Sequence, residues 1–161
     1  MNTRSPHLLT PEGFERITKE LDHLVTVKRE EVADRLHRAL EDGQDDEFVD
    51  NAELEAARNE QAFLEGRIGE LEDILRFYEI IENSDGPVDA VRVGSFVTII
   101  EVGEVEQERY HLVGAAEADP SEGRISNESP LGKALVGAKV GQTVIVNAPN
   151  GKIQFAVKKI E

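Results

Sequence analysis

The sequence predicts an α+β protein, with a long helical hairpin followed by a compact β-rich domain that holds one short helix. Three observations carry the prediction. Between Thr10 and Tyr78 the apolar residues recur at helical spacing; after Pro87 they shift to a period of two or to β-branched runs. The chain of 161 residues has a formal net charge of −15, of which −13 lies before Pro87 and −2 from it onward. The acidity is therefore a property of the helical half.

The first helix starts at Thr10-Pro11-Glu12, a hydroxyl N-cap, a proline at the first helical position and a carboxylate near the positive end of the dipole. Leu9 and Phe14 stand where a hydrophobic staple places its two apolar residues. Ile17, Leu21, Leu24, Val25, Val32, Leu36, Ala39 and Leu40 continue one amphipathic face, interrupted by Lys28, and no Gly or Pro follows until Gly43. Leu54, Ala57, Gln61, Leu64, Ile68, Leu71, Leu75 and Tyr78 then alternate three and four apart, a heptad seam. Two such helices with a short polar connection fold back as an antiparallel hairpin of about 45 Å at ~1.5 Å per residue.

The connection is the most charged part of the chain. Glu41, Asp42, Asp45, Asp46, Glu47, Asp50, Glu53 and Glu55 fall within fifteen residues, and no Lys or Arg lies between Arg38 and Arg58. A solvated turn is the plain reading of such a run. Crowding like charges costs stability that a neutral turn avoids, however, and a long arm tipped with carboxylates is shaped for reaching into something.

Asn83-Ser84-Asp85-Gly86-Pro87 combines turn formers with a proline and marks the boundary between residues 1–85 and 86–161. Strands are expected at Val93 to Ile100, Glu108 to Val113, Thr143 to Asn147 and Lys152 to Ile160, the last two joined at Ala148-Pro149-Asn150-Gly151. Ser129-Pro130 followed by Leu131 to Val136 reads as a capped short helix ended by Gly137.

Several chemistries are excluded. The chain has no cysteine, hence no disulfide, thiolate metal site or cysteine nucleophile, which suits a reducing cytoplasm. The acidic excess argues against strong independent nucleic-acid binding, which draws on Lys and Arg at phosphates. No run approaches ~18 apolar residues and MNTRSPHLLT has no apolar signal core, so a cytoplasmic protein without membrane contact is expected. His7, His23, His37 and His111 are scattered, and the phosphate-loop, dinucleotide and nucleophile-elbow patterns are missing. Asp42 and Glu53 have the spacing of the outer ligands of a calcium loop, but Gln44 and Glu47 occupy its third and sixth positions. What survives is a set of hard oxygen donors. Glu47 and Asp50 share a face if the second helix starts at or before Glu47, half of a magnesium site that another protein would complete.

The residues also carry a resemblance. Leu9-Thr10-Pro11-Glu12-Gly13-Phe14, the stretch from Asp50-Asn51-Ala52-Glu53 to Gly66-Arg67-Ile68, and Glu117-Ala118-Asp119-Pro120 through Ile125-Ser126-Asn127-Glu128-Ser129-Pro130-Leu131-Gly132-Lys133-Ala134-Leu135 closely resemble bacterial transcript-cleavage factors of the Gre family, over roughly residues 8 to 161. The resemblance implies an antiparallel coiled coil and a C-terminal FKBP-like domain. It implies binding to bacterial RNA polymerase, with the coiled coil passed down the secondary channel and RNA met only at the 3′ end of the nascent transcript. The factor is then not an enzyme itself: its tip shares a magnesium ion with the polymerase, which hydrolyses the backtracked RNA and resumes elongation.

Residue by residue, the family's two tip carboxylates fall on Glu47 and Asp50, with Asn51 and Glu53 as support and Asp45 and Asp46 as candidate further ligands. Gly43 matches the family glycine, leaving Gln44, Asp45 and Asp46 as additional residues, and Leu54 stands where Tyr is usual. The segment at the rim of the channel corresponds to Glu128, Ser129, Pro130 and Leu131. Prolyl isomerase activity is not expected, since Phe96, Tyr110 and Phe155 are the only aromatics of this half. Two other readings stand beside cleavage stimulation: a Gre-like inhibitor whose enlarged tip blocks the channel, and a coiled-coil oligomerisation module.

Overall fold

The computed structural model describes residues 5–42, 52–82 and 88–161. The linker expected at Asn83 to Pro87 lies outside them. The described chain forms two compact units, one of residues 15–77 and one that joins residues up to Phe14 to those from Tyr78 onward.

Helix α1 (Pro11–His23), which enters the first unit at Glu15, and α2 (Arg29–Asp42) are joined by a π-helical turn, Leu24–Lys28, and α3 (Ala52–Arg76) returns beside them. The hairpin is antiparallel, because Glu20 pairs with Arg67, Arg29 with Glu65 and Arg35 with Glu60, one number rising as the other falls. Val32, Leu64 and Ile68 form its buried seam, with Leu21, Leu24 and Val25 packed against them. Each such side chain contributes about 1.5–3 kcal/mol of burial.

The π turn departs from the single uniform helix expected. The Thr26 hydroxyl donates to the Asp22 carbonyl at 2.7 Å, and the Arg29 N–H reaches back five residues to the Leu24 carbonyl. A side chain competing for a backbone acceptor widens the turn, and the adjacent Leu24 and Val25 both come to pack on the seam. In α3, Ala57, Leu64, Ile68 and Leu71 are buried as the heptad predicts, whereas Gln61 is exposed.

The seam does not run on to Tyr78. Helix α3 ends at Arg76, and β2 (Tyr78–Ile80) lies parallel to β1 (His7–Leu9), with His7 opposite Tyr78 and Leu9 opposite Ile80. The aromatic and β-branched residues of Phe77-Tyr78-Glu79-Ile80-Ile81 suit a strand better than a last helical turn, and the Ile81 N–H extends the pairing to the Leu9 carbonyl at 2.8 Å. Both strands belong to the second unit, where Phe14 stacks on Tyr78 at 5.0 Å.

That unit is built on a five-stranded sheet of β3 (Phe96–Glu101), β4 (Gln107–Val113), β5 (Arg124–Ser126), β6 (Thr143–Ala148) and β7 (Gly151–Ile160), in the order β5-β4-β3-β7-β6. Its pairs are antiparallel except β4 with β5. The expected first strand starts three residues late, since Val93-Gly94-Ser95 is a turn, and the three-residue β5 carried no readable pattern. Helix α4 (Pro130–Leu135) covers the core of Val91, Val97, Ile99, Leu112, Ile125, Leu135, Ala138 and Val157. The α+β class expected is the class found, a helical hairpin and a sheet domain with one short helix.

Candidate functional site

Toward its end the hairpin is described as far as the last turn of α2 and from the first turn of α3. Ala39 and Ala57 are buried there, and residues this small let two helices approach closely. Glu53 and Glu55 lie in the first turn of α3, where the dipole favours carboxylates. The last turn of α2 has no base and carries Glu41 at the negative end of its dipole, so helix stability does not account for it. His37 Nε2 lies 3.3 Å from Glu41 one turn away.

Among the described residues, the Arg–Glu pairs that cross the hairpin lie in the body of the arm. Arg67 holds Glu20 through Nε at 2.7 Å and Nη2 at 3.1 Å, and Arg29 holds Glu65 through Nε at 2.8 Å and Nη2 at 2.7 Å. Arg35 meets Glu60 at 2.7 Å. The hydrogen bond from Arg29 draws the Glu65 carboxyl below the usual carboxylate range, and Glu20 raises the already basic Arg67 guanidinium. Between Arg38 and Arg58 the sequence holds no Lys or Arg against eight carboxylates.

Glu53, expected as a supporting carboxylate, is exposed in the first turn of α3. Glu47, Asp50, Asn51, Asp45 and Asp46 lie outside the described residues. Among the described residues no group of three or more His, Asp or Glu is placed to hold a metal ion.

The expected partner segment is built around one serine. Ser129 Oγ donates to the Ser126 carbonyl at 2.7 Å and accepts from the Gly132 N–H at 3.0 Å, capping α4. Gly132 is seated so closely on the Ser126 carbonyl that a Cβ there would overlap it. Leu131 packs on the core. Ser129 and Leu131 are thus committed to internal contacts, while Glu128 and Pro130 are exposed. A cleft of about 350 Å³ opens beside this segment, with His7, Leu8, Glu79, Gly114, Asn127 and Glu128 among its walls.

Two features escaped sequence reasoning. Phe96 stacks on the His111 ring, 4.1 Å away, and has the Arg109 guanidinium over its ring at 4.3 Å; the signal was strand register, since Phe96 and His111 are opposed residues of β3 and β4. Glu117 is buried against Thr10 at the start of α1, and no local spacing signals a contact across 107 residues.

Residues 7–80 match the N-terminal model of transcription elongation factors, and residues 86–161 match the C-terminal model described as transcription elongation factor, GreA/GreB. The chain belongs to the GreA/GreB family of transcription elongation factors. It is 44% identical over 160 residues to transcription elongation factor GreA of Acetivibrio thermocellus, covering 99% of each chain. With GreA of Lactococcus lactis subsp. cremoris it shares 44% over 153 residues, 95% of this chain and 96% of the relative. Among solved structures it is similar to GreA factor homolog 1 (Gfh1) of Thermus thermophilus, at 34% identity and a TM-score of 0.44, covering 98% of this chain and 99% of that one.

Proposed function

We propose that the chain stimulates cleavage of backtracked RNA by bacterial RNA polymerase, its sheet unit resting at the rim of the secondary channel and its hairpin entering the channel. Membership of the family supports this reading, and one observation carries it: among the described residues Arg–Glu pairs cross the body of the arm, while the sequence between Arg38 and Arg58 holds carboxylates and no Lys or Arg. Glu47 and Asp50 are the carboxylates donated, supported by Asn51 and Glu53, with Asp45 and Asp46 as further oxygen donors. Hard carboxylate oxygens are the donor type magnesium takes, and a shared ion would supply charge stabilisation at the phosphate being cleaved. Glu128 and Pro130 are the outward residues of the docking segment, held in place by the Ser129 cap. The factor has no reaction of its own, and RNA is met inside the elongation complex.

The insertion of Gln44, Asp45 and Asp46 favours a second reading, a factor that occupies the channel without cleavage. Incubation of a stalled, backtracked elongation complex with the protein and magnesium separates the two. Release of 3′ RNA fragments, lost in Glu47→Ala and in Asp50→Ala, is the expected outcome. Slowed extension without fragments establishes the inhibitor instead, and failure to bind polymerase removes both.

A further inference from the structure

Among the described residues Glu117 is the one charged side chain that is almost wholly buried, 4% exposed. Its carboxyl oxygens accept from the Thr10 N–H at 2.7 Å and the Thr10 hydroxyl at 2.6 Å, while that hydroxyl oxygen accepts from the Gly13 N–H at 3.0 Å. Gly13 is part of the fit: a Cβ there would fall on the Glu117 carboxyl group. The cleavage reading uses none of these residues. Thr10 alone would satisfy the need for an N-cap. Burying a carboxyl group to hold Thr10 in turn is costly unless its hydrogen bonds repay the lost water, and what it adds is a fastening. It ties the first turn of α1 to the 3-10 turn Ala115–Glu117 within the sheet unit, and α1 is the helix through which the chain leaves that unit for the hairpin.

We propose that Glu117 is a positioning residue for transcript cleavage: by fastening the first turn of α1 it restricts the freedom of the arm, so that the tip carboxylates are delivered at high effective concentration. This rests on the cleavage reading above. A group on a tether loses effective concentration when the tether gains freedom, even though the anchoring contacts are unchanged.

The test uses the full-length protein on a backtracked elongation complex. Cleavage rate at saturating factor and the half-saturating concentration are measured for wild type, Glu117→Ala, Glu117→Gln and Gly13→Ala. Glu117→Ala and Gly13→Ala are expected to lower the saturating rate about five- to tenfold while the half-saturating concentration moves less than about twofold. Glu117→Gln retains an acceptor for the Thr10 N–H and recovers part of the rate. In parallel, spin labels on Lys139→Cys and Arg58→Cys, both exposed in a chain without native cysteine, read the spread of distances between the units. That spread is expected to broaden in Glu117→Ala. An unchanged saturating rate with a raised half-saturating concentration, or an unbroadened spread, overturns the proposal. Should Glu117→Ala melt below the assay temperature, the isosteric Glu117→Gln carries both measurements. A wild type without cleavage activity defeats the parent reading, and the label distances still decide the fastening.

Discussion

The hairpin and the sheet unit are stabilised in opposite ways. Val97, Ile99, Leu112, Leu135 and Val157 of the sheet unit are fully buried beneath α4 and the strands, whereas the hairpin relies on a seam one side chain wide, flanked by ion pairs that are each about half exposed. Exposed pairs contribute little stability, typically about 0.2–1 kcal/mol. They do fix which residue of one helix meets which of the other. The arm thus has its register set by exposed pairs and a narrow apolar seam, whereas the sheet unit has its fold set by a buried core; on the cleavage reading proposed above, the first presents the carboxylates and the second docks. Phe63 on α3 is exposed and adds nothing to the seam.

That contrast predicts which changes damage function and which damage folding. The largest effect is expected at the tip: Glu47→Ala with Asp50→Ala should lower stimulated cleavage by about a hundredfold or more, with thermal stability unchanged or raised because like charges are removed. Loss of folding together with cleavage would break the contrast. Next in size, Ile99→Ala in the sheet core should cost about 2–5 kcal/mol in urea unfolding. Leu64→Ala in the hairpin seam, where the side chain is 9% exposed, should fall at the low end of that range. Equal costs would mean that the hairpin has a core as demanding as the sheet.

Smaller effects sharpen the account of the docking segment. Ser129→Ala removes both the cap of α4 and the bond to the Ser126 carbonyl, and about 1 kcal/mol is expected. If the exposed Glu128 and Pro130 dock on polymerase, Ser129→Ala should also weaken the factor's competition for the channel, a binding measurement that an isolated cap would leave unmoved. Arg67→Ala, on the arm, should cost under about 1 kcal/mol although it removes a bidentate pair.

How much of this was legible depended on whether the cause was local. The Thr10 cap, the Ser129-Pro130 start of α4, the Leu64–Leu71 seam and the hairpin ending at Gly151 are all written within a few residues, and the structure places them as read. The π turn was illegible because it depends on one hydroxyl, that of Thr26, taking a backbone acceptor. β1, β2 and β5 were illegible because three-residue strands have no period; their pairing comes from partners distant in sequence. Glu117 was invisible for the same reason. At the tip the charge pattern was plain from sequence, and of the expected site residues there Glu53 alone falls within the described chain.

The smallest effect concerns His111 of the sheet unit. His111 is half-buried on Phe96, and burial pushes its pKa below the ordinary value, with Arg124 adding to the shift while Glu117, Glu12 and a hydrogen bond with the Gly94 backbone oppose it. A histidine whose folded pKa is depressed binds its proton more readily in the unfolded chain, for which about 6.5 is typical. Stability from this group is therefore fully present above that pH and declines as pH falls toward the folded pKa, because the unfolded state takes up the proton first. Urea unfolding between pH 7.5 and 5 should show this loss, and His111→Gln should flatten it after allowance for the lost stacking. Titration of the His111 ring by NMR gives the direct reading: a midpoint at or above the ordinary histidine value would mean that Glu117 and Glu12 outweigh burial, and would reverse the predicted slope.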